Sequence, residues 1–279
     1  MKFDDDGETV SELPVFEMAD GIKEARKFCT AFGIVPKQTE YVPQLLNAGM
    51  DNGTLTFIEH GNDYFAVTCK HVVEVMRFRN KKYGEGSYVL ATLKDGTYLL
   101  GDEFHIPSSP AGSHVDLDIA IAHIPRDFPA QIGKRFLKLA AANDERPIPL
   151  KYAIAVGFPT GDKTETYGPD GYRVVMPCVQ ATAEAMVSER QFLSILSDAP
   201  ATGDLSGMSG GPVFWSTADD FGLVGFVYEG DQTGVANDMI QHPRIRFFVE
   251  TCDYHEFSRW TEELRAARTG RVVPVRRIA

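Results

Sequence analysis

The stretch that decides how this sequence is interpreted is Gly-Met-Ser-Gly-Gly-Pro at residues 207–212. A serine hydroxyl needs a base beside it before it becomes a strong nucleophile, and a carbonyl under attack becomes an oxyanion that backbone N–H groups must face. A glycine-rich turn can aim the amides of Gly207 and Ser209 at one point and lets other backbone approach closely. The alternative interpretation is a plain Gly-Gly-Pro turn that leads into a strand at residues 213–215.

Further back along the chain, the stretch Thr-Cys-Lys-His-Val-Val at residues 68–73 directly follows a strand predicted at residues 64–68. A general base must lie within reach of the nucleophile and be held by a support of its own. His71, in a helical turn at the end of a strand, fits that role because imidazole accepts and returns a proton near neutral pH. A structural histidine packed against apolar neighbours is the alternative.

An aspartate that could support this histidine lies in Asp-Leu-Asp-Ile-Ala-Ile at residues 116–121. An aspartate at the mouth of an apolar strand is partly buried and needs a donor. A histidine Nδ1–H would satisfy it and leave Nε2 to accept a proton. Asp118 directly precedes the apolar run and is preferred, while Asp116 is the weaker candidate. An ordinary turn aspartate is the alternative for either residue.

Together, the order His71, Asp118, Ser209 along the chain resembles that of the trypsin/chymotrypsin peptidase family. The Thr-x-x-His-Val, Asp-Ile-Ala and Gly-Met-Ser-Gly-Gly-Pro runs match the family's three motifs, and the order differs from those of α/β-hydrolases and subtilisins. The resemblance covers roughly residues 50–240. It implies a serine endopeptidase with Ser209 as nucleophile, His71 as base, Asp118 as orienting carboxylate, and the amides of Gly207 and Ser209 as oxyanion hole.

The resemblance also implies where substrate binds. The stretch Gly-Phe-Val-Tyr-Glu-Gly at residues 225–230 is similar to the family's strand that pairs with substrate and walls the specificity pocket, and the base of the pocket lies six residues before the serine. The residues assigned to substrate binding in this way are Gly203, Asp204, Tyr228, Glu229 and Gly230. The two acidic side chains in this set predict a weak preference for basic or small residues at the cleaved position.

The chain departs from the digestive members of the family at two places. Met208 stands where those members carry an aspartate that receives a new N-terminal amine after activation cleavage, so that switch is not expected here. The disulfide beside the histidine is also missing, since Cys69 precedes His71 and Val72 follows it. These departures resemble the intracellular branch of the family, a trypsin-like peptidase domain that is regulated by other means.

Charge and composition narrow the function classes. The 279 residues carry a formal net charge of −11, with 43% hydrophobic and 24% charged residues. This acidic balance argues against nucleic acid as a partner, and the basic run at residues 271–277 is interpreted as a solvated tail. No stretch reaches the roughly 18 apolar residues of a membrane-spanning helix, and residues 1–8 lack the features of a secretory signal. A cytoplasmic protein with no membrane partner is therefore expected.

The cysteines show neither a C-x-x-C pair nor a metal-ligand spacing, and we expect them to be free thiols in or near the core. They are Cys29, Cys69, Cys178 and Cys252. The predicted chemistry needs neither a metal nor an organic cofactor. The expected partner is a polypeptide substrate, and a regulatory partner protein is left open.

Many short strands in two blocks predict an all-β fold, which the resemblance specifies as a chymotrypsin-like double β-barrel with an N-terminal helical extension and a C-terminal helix. Strands are predicted at residues 54–58, 64–68, 87–93, 97–100, 119–124, 152–156, 172–180, 184–188, 213–215 and 223–228, and helices at 17–32, 134–142 and 245–268. The predicted organisation is a partly helical extension (1–48), a first barrel with His71 and Asp118 (49–127), a connector (128–149), a second barrel with Ser209 (150–242), and a C-terminal helix with a basic tail (243–279).

Two other functions are compatible with these patterns. A catalytically inactive barrel could act as a peptide- or protein-binding module, and a serine hydrolase could act on esters or other small acyl substrates. Residues 1–48 are expected to pack against the barrels, and the alternative is that they occlude the cleft or dock a partner.

Overall fold

Two large antiparallel β-sheets make up most of the part of the chain that the structure describes. This structure is a computed structural model. It describes residues 20–35, 52–83, 86–90, 97–110, 116–141, 150, 153–160, 164–168, 171–175, 178–188, 191–195, 206–232, 244–267 and 272–278. The predicted pocket residues Gly203 and Asp204, most of the predicted extension, and the connector residues 142–149 lie outside the described residues.

The first sheet has eight strands in the order β16-β5-β4-β1-β2-β3-β6, with β7 added in parallel to one end of β2. Its strands are β1 (Cys29–Val35), β2 (Asn52–His60), β3 (Asp63–Thr68), β4 (Gly86–Leu90), β5 (Thr97–Leu100), β6 (Ala120–His123), β7 (Leu137–Leu139) and β16 (Val275–Ile278). The tight turn at Gly61 joins β2 to β3, and this glycine has a φ of +63°, which favours a residue without a side chain.

The second sheet closes into a six-stranded barrel in the order β11-β12-β15-β14-β13-β8. Its strands are β8 (Ala153–Gly157), β11 (Val179–Ser188), β12 (Gln191–Ile195), β13 (Pro212–Ser216), β14 (Phe221–Gln232) and β15 (Arg244–Thr251). A separate hairpin consists of β9 (Thr164–Gly168) and β10 (Gly171–Val175). Closure means that each barrel strand pairs with a neighbour on both sides over at least part of its length.

Four helical segments accompany the sheets in the described part of the chain. They are a 3-10 helix (Asp20–Phe28), α1 (Lys70–Tyr83), α2 (Phe128–Gln131) and α3 (Tyr254–Ala266). The α3 helix is capped by Asp253, the residue before its start, whose side chain accepts a hydrogen bond from the Glu256 N–H at 2.7 Å. Its apolar face buries Phe257, Trp260 and Leu264. None of these helices is long and apolar enough to span a membrane.

Three groups of buried apolar residues hold the fold together. One lies inside the first sheet, one lies inside the barrel, and the largest lies between the two sheets and α3. The central group joins Ile58 and Phe65 of the first sheet to Phe214 and Phe226 of the barrel, with Trp260 of α3 against them. This shared core fixes the position of one sheet relative to the other.

The predicted all-β fold is confirmed, since both large sheets are antiparallel in their main paths and helices are few. The architecture is consistent with a chymotrypsin-like β fold that has a helical segment near the start and a helix near the end. Every predicted strand overlaps a strand of the structure. Turn residues and short apolar runs therefore located these strands correctly.

The helix predicted at residues 17–32 is wrong in its second half. Helical structure ends at Phe28, and Cys29–Val35 forms β1, which pairs with β2 on one side and β4 on the other. Its described side chains are buried in succession, so the strand lacks the apolar–polar alternation of a half-exposed strand. The first sheet therefore includes a central strand from the segment predicted as an extension.

Two other predicted helices are also partly wrong. Residues 137–139 form β7 rather than helix, because they pair in parallel with β2. Residues 244–251 form β15, and helix begins only at Tyr254. The predicted solvated tail is likewise corrected, since β16 pairs with β5. In each case a long-range strand pairing outweighs the local preference.

The buried His60 predicts a pH dependence of stability. Its Nε2 contacts Ser258 Oγ at 2.9 Å, whereas its Nδ1 is buried and has no hydrogen-bond partner among the described residues. Burial lowers the pKa of His60, the nearby Arg265 lowers it further, and Asp63 opposes the shift. The unfolded chain therefore takes up the proton first, so stability is full above about pH 6.5 and falls as the pH drops below that value.

We expect His60→Gln to lose less unfolding free energy than wild type between about pH 7.5 and about pH 5.5, measured by urea unfolding. The matched control is His255→Gln, which removes an exposed histidine of α3, the helix whose Tyr254 and Phe257 rings contact His60, and it should follow wild type. Equal pH slopes for wild type and His60→Gln would contradict the assignment.

Candidate active site

His71 is the second residue of α1, directly after β3. The first N–H groups of a helix have no partner within the helix. Here the His71 N–H donates to Asp118 Oδ1 at 2.9 Å, while the ring Nδ1 lies 2.6 Å from Asp118 Oδ2. With the carboxylate ionised, Nδ1 carries the hydrogen and Nε2 is the ring nitrogen that can accept a proton.

Asp118 lies just before β6 and is partly buried, with 22% of its side chain exposed. Its own N–H donates to Glu250 Oε1 at 3.3 Å, so a buried carboxylate of the barrel contacts the backbone that carries it. The weaker candidate Asp116 is 92% exposed and pairs with Lys70 at 3.8 Å. The structure therefore brings Asp118, and not Asp116, to the histidine.

Ser209 lies in a tight turn between a Gly207 with φ of +96° and a Gly210 with φ of +89°. The Gly211 N–H donates to Met208 O at 2.8 Å, which closes the turn around the serine. Neither glycine conformation suits a residue with a side chain, so the turn depends on the glycines of the motif. The Gly-x-Ser-Gly-Gly-Pro pattern predicts such a tight turn around the serine.

The serine turn is fastened to β2 of the other sheet. Thr54 donates its N–H to Ser209 O and its hydroxyl to Gly207 O, both at 2.8 Å. Thr56 donates its hydroxyl to Gly210 O at 2.7 Å. Sequence reasoning missed both threonines, because only the packing of two sheets brings them to a turn about 150 residues away.

One cleft of about 350 Å³ contains all three candidate catalytic residues. Its lining residues are His71, Asp118, Ser206, Ser209, Tyr228, Glu229 and Gly230. Three of the predicted substrate-binding residues thus lie beside the catalytic candidates on β14. Ser206 is an addition that the sequence did not single out, since nothing in its local pattern distinguishes it from other turn serines.

The hydroxyl of Ser209 donates to Tyr228 O at 3.2 Å. In the part of the chain that the structure describes, it makes no hydrogen bond to His71. The backbone N–H groups of Gly207 and Ser209 likewise donate to no atom of the described residues. Ser209 lines the cleft, whereas Gly207 is buried and is not among its lining residues, so the oxyanion hole at these two amides stays a prediction.

Cys69 lies under the histidine and does not compete with the serine as a nucleophile. Burial raises the pKa of the Cys69 thiol well above its usual value, and the charges of Asp118 and Glu250 add to the shift. The thiol donates to Val227 O at 3.2 Å. Cys69, His71 and Asp118 lie close enough to surround an ion, but a neutral thiol and a paired histidine form a poor ligand set.

Met208 occupies the position at which digestive peptidases carry an aspartate, as noted in the sequence analysis. Its side chain is only 2% exposed and packs in the barrel's apolar group with Val213 and Val227. An incoming ammonium group would find no charged partner at this residue.

No family model matches the chain, and no curated protein matches it. Among solved structures, it is similar to a thermostable serine protease, AL20, from an extremophilic microorganism, at 14% identity and a TM-score of 0.47, covering 86% of this chain and 99% of that chain. It is also similar to the scabies mite inactivated protease paralogue S-I1, at 12% identity and a TM-score of 0.45, covering 87% and 96%. The paralogue S-D1 gives 12% identity and a TM-score of 0.43, covering 93% and 100%. Similarity at this level assigns neither a family nor an activity to the chain.

Proposed function

We propose that the chain is a serine endopeptidase of the trypsin-like type, with Ser209 as nucleophile, His71 as general base and Asp118 as the residue that orients the histidine. The observation that carries this proposal is the double contact of Asp118 with the backbone N–H and the Nδ1 of His71, in the same cleft as Ser209. A carboxylate that accepts the Nδ1 hydrogen of a histidine in this way fixes the tautomer needed for proton transfer.

The reaction begins when substrate enters and the Ser209 hydroxyl turns from Tyr228 O towards His71 Nε2. The histidine takes the hydroxyl proton as the oxygen attacks the scissile carbonyl. The Gly207 and Ser209 amides stabilise the resulting oxyanion. His71 then donates the proton to the leaving amine, and water, activated by the same histidine, hydrolyses the acyl-enzyme. Asp118 stabilises the imidazolium throughout.

The strand β14 offers a place for an extended peptide. Among the described residues, its ladder with β13 ends at Phe226, and Val227 still bonds to the backbone of Gly210 and Gly211, whereas its pairing with β15 continues to Gln232. An incoming strand can therefore pair beside the cleft in the manner of β-strand addition. Glu229 is exposed in the cleft wall and favours a basic side chain at the cleaved position.

The experiment is a cleavage profile of the purified full chain on a peptide library, with products sequenced by mass spectrometry. We expect peptide-bond cleavage that is enriched after basic or small residues and absent in Ser209→Ala. Ser206→Ala is the matched control, because it removes another cleft serine and should leave cleavage within a few-fold of wild type. Cleavage dominated by large apolar residues would refute the specificity, and hydrolysis of esters without peptides would refute the endopeptidase.

A second candidate function is a peptide-binding module without catalysis. The contact of the Ser209 hydroxyl with Tyr228 O, rather than with His71, favours it. This candidate predicts that library peptides bind in the cleft and are recovered intact. Binding is measured by titrating a labelled peptide with the protein and following fluorescence anisotropy. The mass of the peptide after incubation then shows whether it has been cleaved.

A further inference from the structure

Two cysteines from different sheets lie in contact on the boundary between them. Cys29 is the buried first residue of β1, and Cys178 lies directly before β11 of the barrel and is partly exposed. Each thiol shifts the pKa of the other, which places the two sulfur atoms close together. Cys178 packs against the central apolar group to which Cys29 belongs. The pair thus joins the first sheet to the second.

The surroundings favour a negative charge on Cys178. The Cys29 thiol lowers the pKa of the Cys178 thiol, burial opposes this shift, and the positive charges of Lys134 and Arg26 lower the pKa further, so that the net shift is downward. Burial raises the pKa of Cys29 well above its usual value, which keeps that thiol protonated. Lys134 is held in place because its Nζ donates to Arg26 O at 2.9 Å and lies 5.3 Å from the centre of the Phe158 ring.

The other two cysteines lack this arrangement. Cys69 is buried, its pKa is raised, and its thiol donates to a backbone carbonyl. Cys252 is buried and donates to Asp253 O at 3.5 Å. A thiol needs both thiolate character and exposure to react with an oxidant. Of the four cysteines, only Cys178 combines partial exposure, a lowered pKa and a second thiol in contact.

We propose that Cys29 and Cys178 form a reversible disulfide, closed by hydrogen peroxide, that ties the first sheet to the barrel. The Cys178 thiolate attacks one oxygen of the peroxide, which breaks the O–O bond and gives a sulfenic acid and, after proton uptake, water. The Cys29 sulfur then attacks the sulfenic sulfur, the S–S bond forms, and the Cys29 proton leaves with the displaced hydroxide as a second water. Two thiols are oxidised and one peroxide is reduced to two waters. A dithiol reductant reverses the bond by exchange.

This site does not depend on the proposed hydrolase activity. A bond between residues 29 and 178 closes a loop of about 150 residues and restricts the unfolded chain strongly. The oxidised protein should therefore unfold at a temperature about 5 °C or more above the reduced protein. The shift should disappear when a reductant is added.

The test treats the full chain with a small excess of hydrogen peroxide, blocks remaining thiols, and measures intact mass and the peptides after digestion. We expect the loss of two hydrogen atoms, a linked peptide pair containing Cys29 and Cys178, and unmodified Cys69 and Cys252. Oxidation should slow at least several-fold in Lys134→Met, which removes the ammonium beside the thiols.

Cys252→Ser is the matched control and should form the bond as wild type does. Cys178→Ser should form no intramolecular bond. A Cys178 that stops at sulfinic acid, a link between any other cysteines, or no reaction in folded wild type would each overturn the proposal. Because the mapping is made on wild type, a variant that fails to fold does not weaken the test.

Discussion

Replacing Asp118 with asparagine is expected to lower kcat for peptide hydrolysis by about ten-thousand-fold, with the fold intact. Asparagine has the shape of aspartate, so its carbonyl can still accept the His71 N–H that Asp118 Oδ1 accepts at 2.9 Å. Its amide then faces Nδ1 as a donor, so Nδ1 must become an acceptor and the hydrogen moves to Nε2. The histidine can no longer take the proton of Ser209.

Asp116→Asn is the matched control for this prediction. It removes a carboxylate of the same loop whose side chain is 92% exposed and forms an ion pair with the Lys70 ammonium at 3.8 Å. An exposed ion pair contributes little to stability or to geometry at a distance, so kcat should stay within about three-fold of wild type. A similar loss of activity in both variants, measured on one peptide substrate, would remove the specific role of Asp118.

The second large effect is on stability, at Gly210. This glycine has a φ of +89°, and a Cβ atom there would lie 2.2 Å from Thr54 O and 2.6 Å from Thr68 Oγ1. The backbone of β2 at Thr54 cannot move away without breaking the hydrogen bonds from Thr54 to Gly207 O and Ser209 O, which hold the serine turn. We expect Gly210→Ala to lower the free energy of unfolding by about 4 kcal/mol, measured by urea unfolding.

Gly61→Ala provides the matched control, because Gly61 also has a positive φ of +63° but, within the described part of the chain, no atom within 4 Å of the added Cβ. It should cost only the backbone strain, about 1 kcal/mol. The difference between the two variants then measures the close packing at the serine turn. Equal losses would mean that the contact of Gly210 with β2 does not limit the substitution.

The sequence predicts the serine turn well because its determinants are local. A turn with two positive φ values needs glycine at both positions. Gly207 and Gly210 therefore predict the conformation of this turn without reference to any other part of the fold. The same holds for His71, which the end of β3 and the start of α1 place on the surface. The pattern of short strands and turns likewise predicts the all-β class.

The parts that the sequence does not reveal depend on distant pairing. Thr54 holds the serine turn and Glu250 contacts Asp118, yet neither stands in a distinctive local pattern. The segment that forms β1 is predicted as the end of a helix, because a strand that is buried along its length lacks a distinctive pattern. The segment that forms β15 is predicted as the start of a helix. Each becomes a strand through neighbours that are far away in the chain.

The most direct test of the proposed catalytic centre is intact-mass labelling of the purified protein with a fluorophosphonate, run beside Ser209→Ala, His71→Ala and Ser206→Ala. We predict one adduct on Ser209 in wild type and in Ser206→Ala, and none in the other two variants, because only a serine activated by a histidine attacks the probe at a useful rate. Folded wild type that gains no adduct, or an adduct on any residue other than Ser209, would contradict the proposed function.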